Sequence, residues 1–151
     1  MKVLFAADHA GFDLKAKLIP FVESLGHTTE DLGPSSYNVE DDYPGFVSRV
    51  AKKISEEPSD YMGIVIGGSG QAEAMVANRY PRVRAAVYYG GKNRIVSLSR
   101  EHNNANILSL GARFMSEEEA KQAVHVWLTT PFSGEERHVR RIRQIDTLRN
   151  G

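Results

Sequence analysis

The sequence predicts an α/β protein: a three-layer, doubly wound, Rossmann-like sheet of about five parallel strands, with helices on both faces and a further helix at the C-terminus. Three observations carry that expectation. Short apolar runs alternate with amphipathic helical stretches along the whole chain. The strongest runs, Lys2 to Ala7 (KVLFAA) and Met62 to Ile66 (MGIVI), are nearly continuous in apolar residues, as in strands covered on both faces. A glycine-rich turn, Gly67 to Gly70, follows the second of them, where a strand would hand over to a helix.

The elements follow in order. After the first strand, Leu14, Leu18, Phe21, Val22 and Leu25 form one apolar helical stripe that Gly26 stops. Pro20 lies inside this stripe and predicts a kink or a delayed helix start. Thr28 to Leu32 reads as a weak strand, and Pro34 to Asp42 is polar enough for a mobile loop. Phe46, Val47, Val50, Ala51 and Ile54 line a second helix, ahead of the Met62–Ile66 strand. A short helix over Ala72 to Asn78, a strand over Val83 to Tyr88, a helix over Arg94 to His102 and a strand over Asn106 to Leu110 continue the alternation. Ser116 and Glu119 form a capping box for a helix facing inward through Ala120, Ala123, Val124, Trp127 and Leu128, which Pro131 ends. A last helix runs from Glu135 to about Leu148.

With 151 residues and no internal repeat or linker, the chain is expected to form one domain spanning 1–151. Lys plus Arg and Asp plus Glu both number 19, and the net charge of +0 argues against nucleic-acid or membrane-surface binding through bulk charge. There is no cysteine, which removes disulfide scaffolds and cysteine nucleophiles and suits a reducing compartment. The N-terminal apolar run is broken by Asp8 and His9, too early for a signal peptide or a membrane span, so the cytoplasm is the expected location.

Ligands of an open parallel sheet bind beyond the carboxyl ends of its strands. That rule selects Asp8-His9-Ala10-Gly11 and Gly67-Gly68-Ser69-Gly70-Gln71-Ala72-Glu73, whose strands are expected to be neighbours sharing one crevice. The GGSG turn is either a tight strand-to-helix connection or an anion site of successive backbone N–H groups at a helix start. It matches neither a Walker loop nor GxGxxG. Glu73, three residues beyond Gly70, is either a solvated helix-start carboxylate or a base beside an anion hole, the pairing that proton abstraction next to a carbonyl requires.

In the last helix Arg137 and Arg141 share a face at i, i+4, beside His138, Arg140 and Arg143. They form either a solvated basic face balanced by Glu135, Glu136 and Asp146 or the two arms of a phosphate grip. His102 continues the spacing of Ile95 and Leu98 and ends a crossover helix, at the edge of the sheet opposite the strand carboxyl ends. A catalytic His102 must then reach the crevice of a second subunit. His27 and His125 read as structural or solvated, no histidine pair has metal-ligand spacing, and Asp8 with Asp41 or Asp42 is only a weak cation signal.

Five ordered segments, AADHAGFDLK (6–15), DDYP (41–44), GGSGQAEAMVANR (67–79), SREHNNANILSLGAR (99–113) and ERHVRRI (136–142), together resemble the ribose-5-phosphate isomerase B family, which also contains the bacterial galactose-6-phosphate isomerase subunits. One branch of that family uses a cysteine base at the position Gly67 occupies; the other uses a glutamate matching Glu73. The resemblance implies a metal-independent aldose–ketose isomerase without a cofactor, acting on a small phosphorylated sugar in the pentose phosphate pathway. It assigns proton transfer between C1 and C2 to Glu73 and opening of the furanose ring to His102, with Asp8 or His102 supplying the ring-oxygen proton. Gly68, Ser69, Gly70, Gln71 and Ala72 would form the anion hole, and Asp8 and Asn103 would bind sugar hydroxyls or ring oxygen. Tyr43 would line the pocket, and His9, Arg113, Arg137, His138 and Arg141 would hold the phosphate. The implied assembly is a homodimer with sites shared between subunits, which could pair into tetramers. At Gln71-Ala72 the sequence departs from the smaller Asn-Gly pair common in the glutamate branch, so the Ala72 side chain would tilt the local N–H groups or narrow the pocket. The alternatives are isomerisation of an allose, galactose or erythrulose phosphate, and a non-catalytic phosphate- or nucleotide-binding module.

Overall fold

The computed structural model describes residues 1–148. Five strands alternate with six helices: β1 (Lys2–Ala7), α1 (Phe12–Ser24), β2 (Thr28–Asp31), α2 (Tyr43–Glu56), β3 (Tyr61–Gly67), α3 (Gln71–Ala77), β4 (Ala85–Tyr88), α4 (Arg94–Glu101), β5 (Ile107–Gly111), α5 (Glu117–Thr129) and α6 (Glu136–Asp146). The strands form one parallel sheet in the order β2-β1-β3-β5-β4. From β1 the chain winds outward to β2, then crosses back to β3 on the other side, so a crevice opens above the β1/β3 pair.

The alternation of side chains along β1 divides the core. Val3, Phe5 and Ala7 belong to one buried cluster with Leu18 and Val22 of α1, Val96 of α4 and Ala120, Ala123, Val124 and Trp127 of α5. Leu4 and Ala6 face the opposite way, onto Val47, Val50, Ala51 and Ile54 of α2 and Ala77 of α3. Both faces of the central strands are therefore buried, which is why their sequences read as unbroken apolar runs. The Ser116–Glu119 capping box is present, with Glu119 N–H donating to Ser116 Oγ at 3.1 Å.

Two local expectations are corrected, and the outer face of α4 is located. α1 starts at Phe12, eight residues ahead of Pro20, and is helical on both sides of it. Proline denies the Ala16 carbonyl a donor, but Ala16 and Pro20 are both exposed and water can replace the lost bond. β4 begins two residues later than its apolar run, at Ala85, because Val83 N–H turns back onto the Tyr80 carbonyl and Asn106 Oδ1 accepts Arg84 N–H at 2.8 Å. In α4 the buried residues are Val96, Ser97 and Ser99, so the Ile95–Leu98–His102 spacing marks the outer face, with Ile95 61% exposed.

Candidate active site

Two loops rise from the centre of the sheet. β1 and β3 pair up to Ala7 and Ile66, and Asp8 N–H donates to the Ile66 carbonyl at 3.2 Å, so the segments after both strands start side by side. Asp8 is 8% exposed, and its Oδ1 accepts the Gly11 N–H at 3.1 Å, capping a single 3-10 turn over His9–Gly11. The two strands are neighbours, as predicted, and their following loops start together.

The glycine turn is clamped by the end of β5. Ala112 N–H donates to the Gly67 carbonyl at 2.8 Å, Arg113 N–H to the Gly68 carbonyl at 3.1 Å, and the Ser109 hydroxyl to the Gly70 carbonyl at 2.6 Å. With the Gly67, Gly68 and Gly70 carbonyls drawn toward the end of β5, the Ser69 and Gly70 N–H groups meet no acceptor among the described residues. Gly70 adopts φ +78°, and a Cβ there would lie 3.0 Å from the Leu110 carbonyl carbon, so the turn requires glycine twice over. Gln71 is exposed, Ala72 is half-buried, and Arg113 stands over Gly68, where a Cβ would come within 3.2 Å of its Nη1.

Glu73, in the first turn of α3, is only 3% exposed. Its carboxylate folds back over the end of β3, and a Cβ built on Gly67 would fall on top of it. Burial pushes the Glu73 carboxyl above the ordinary glutamate range; its own backbone N–H opposes the rise and the Asp8 charge adds to it. A carboxylate tuned upward beside free N–H groups is suited to taking and returning a carbon-bound proton while an oxyanion is stabilised next to it. Tyr43 opens α2 at the same end of the sheet and, with Ala72, Met75, Val76, Arg79 and Tyr80, lines a groove of about 260 Å³.

The remaining candidates form a second cluster. His102 caps the end of α4, and its ring stacks on His138 of α6 with centroids 4.3 Å apart and 15° between planes. His138 is 5% exposed, its Nε2 has no partner among the described residues, and burial, His102 and Arg137 lower its pKa. Asn103, Arg137 and Arg141 are exposed around the pair, and Arg137 reaches Glu135 at 3.2 Å. Because α4 precedes β5, this cluster lies at the amino end of the parallel strands, while Glu73 lies at the carboxyl end. One chain thus brings together Asp8, His9, Tyr43, Gly68 to Glu73 and Arg113, and separately His102, Asn103, Arg137, His138 and Arg141. It does not unite the two groups. Among the described residues, no group of three or more His, Asp or Glu side chains could share a metal ion.

The family model described as Ribose/Galactose Isomerase matches residues 3–145, nearly the whole chain. The chain belongs to that family. Ribose-5-phosphate isomerase B of Mycolicibacterium paratuberculosis is 42% identical over 142 residues, 94% of this chain and 87% of the relative. A crystal structure of ribose-5-phosphate isomerase B from Mycoplasma genitalium with bound ribulose-5-phosphate superposes with a TM-score of 0.91 at 34% identity, covering 96% of this chain and 93% of that one. The type B ribose 5-phosphate isomerase of Trypanosoma cruzi gives a TM-score of 0.89 at 37% identity, covering 96% and 94%. The doubly wound sheet expected from the sequence is thus the fold of these isomerases.

One member of the site escaped the sequence reading. Asp41, weighed there only as a cation ligand, instead binds His9 across 32 residues. Only the polarity of the DDYP segment hinted that it reaches the crevice.

Proposed function

We propose that this isomerase interconverts ribose 5-phosphate and ribulose 5-phosphate through a cis-enediolate, with Glu73 as the shuttling base, and that it works in the cytoplasm as a homodimer. The observation that carries the proposal is the buried Glu73 carboxylate, folded over Gly67 next to the unpaired N–H groups of the glycine turn. Glu73 takes the proton from C2 of the open-chain aldose. The C–H electrons form the C1–C2 double bond, and negative charge moves to the C1 oxygen, facing the N–H groups of Gly68 to Ala72. Return of the proton to C1, with passage of the C2 hydroxyl proton to the C1 oxygen, gives the ketose. Relatives that bear the ribose-5-phosphate isomerase name, one holding ribulose-5-phosphate, support the choice of substrate.

The divided site supports the homodimer reading. His102, assigned to ring opening, and the basic residues of α6 lie at the end of the sheet away from Glu73, so a second copy must bring them to the crevice. The outward stripe of α4 suits this: Ile95 and Leu98 border a groove of about 230 Å³ with Ala86 and Val87 of the edge strand β4, and Asn103 lies on its rim. No helix among the described residues is long and apolar enough to cross a membrane.

The test is incubation with ribose 5-phosphate in deuterated water. Deuterium should appear at C1 or C2 as ribulose 5-phosphate forms; binding without exchange would leave only the phosphate-binding module, and faster turnover of a six-carbon phosphate would reassign the substrate.

The raised Glu73 carboxyl sets an acid limit. The base works ionised, so kcat/KM should fall with decreasing pH around a pKa above that of an ordinary glutamate. Asp8→Asn removes one like charge and should move this limb to lower pH, whatever it does to the plateau; an unmoved limb would mean that another group controls it. The stability effect has the opposite sense to that of a salt-bridged acid. A carboxyl raised in the folded state adds stability below its unfolded pKa, and that increment is lost as pH rises through the folded value.

A further inference from the structure

His9 and Asp41 form a pair of unusual isolation. Asp41 Oδ1 faces both the His9 backbone N–H and its ring Nδ1, each at 3.1 Å. The Asp41 side chain is 6% exposed, and its Oδ2 is buried without a partner, so His9 supplies all the donors this carboxylate has among the described residues. A carboxylate only accepts hydrogen bonds, which requires a proton on Nδ1. The Tyr37 ring meets the imidazole edge-on at 6.3 Å and 85°, limiting its rotation. With Nδ1 fixed inward, Nε2 is the atom the ring presents outward.

We infer that Asp41 is a positioning residue: it holds His9 in the orientation and proton state in which Nε2–H donates to the phosphate of the substrate. The inference rests on the phosphate role that the family resemblance implies for His9 and deepens it. A neutral ring held through Nδ1–H would offer the phosphate a lone pair. A ring that also carries a proton on Nε2 offers a charged donor, and the buried Asp41 carboxylate balances that charge from behind. The ordering is carboxylate, imidazolium, phosphate, with the loop after β2 supplying the first and the loop after β1 the second.

The experiment compares wild type, Asp41→Asn, Asp41→Glu and His9→Ala, using sugar-phosphate kinetics and binding of inorganic phosphate alone, with thermal melting to verify folding. Asp41→Asn keeps the shape but removes the charge. It should raise KM and the dissociation constant for phosphate about tenfold, the scale on which supporting partners of a ligating histidine act, with kcat held within about threefold. Asp41→Glu should recover part of the loss. Imidazole ¹⁵N spectra should show wild-type His9 protonated at Nδ1, and protonated at both nitrogens once phosphate is bound, a state that Asp41→Asn populates less. Should His9→Ala weaken phosphate binding while Asp41→Asn changes neither KM nor the spectra, the histidine acts alone and the inference is wrong. It is equally wrong if Asp41→Asn lowers kcat with KM unchanged, which would place the pair in the chemistry. If His9→Ala itself leaves phosphate affinity untouched, the phosphate role of His9 fails first, and that result is distinguishable from the others.

Discussion

Replacing Glu73 by Gln is expected to slow turnover by at least ~10² to 10⁴, the usual share of a positioned acid–base group. Affinity for phosphate and the melting temperature should change little. Glutamine keeps nearly the volume of the carboxylate over Gly67, so the end of β3 and the clamped turn need not repack. The substitution also removes a buried ionisable group, and with it a desolvation penalty. A fall in kcat therefore reports lost chemistry, not lost structure. Turnover within a few-fold of wild type, with the fold intact, would exclude Glu73 as the base and shift attention to Asp8, the buried carboxylate whose charge acts on it.

The second large effect is one of restoration. Glu73→Gln and His102→Ala should each be nearly inactive alone, yet subunits of the two mixed after dissociation should regain about a quarter of wild-type activity. A twofold dimer with shared sites explains the figure. In each mixed dimer one site carries both defects and the other neither, and random pairing makes half of the dimers mixed. Zero recovery in hybrids shown to have formed would mean that each site is assembled within one chain. The geometry argues otherwise, because α4 and α6 place the His102–His138 stack at the amino end of the strands.

Much of this was legible in the residues. The boundaries of β1 were read to the residue, and the inner face of α5 almost so, because both signals depend only on local periodicity and one capping box. What failed depended on distant partners or on water. Asn106 sets the start of β4 from 22 residues away, and Pro20 is tolerated because Ala16 is exposed. The spacing of Ile95, Leu98 and His102 left their direction open, because periodicity alone does not say whether a stripe packs on its own sheet or faces outward. For the candidate site, the placement of Glu73 beside the glycine turn could be read because strand, turn and carboxylate are contiguous. Asp41 was not, since its bond to His9 joins loops that only the sheet brings together.

Gly67 leaves open the room that the folded-back Glu73 carboxylate occupies, since the first atom of any side chain at 67 would land on it. A substitution at 67 therefore obliges the Glu73 side chain to swing out of its buried seat, so the two positions vary as a coupled pair and not one at a time.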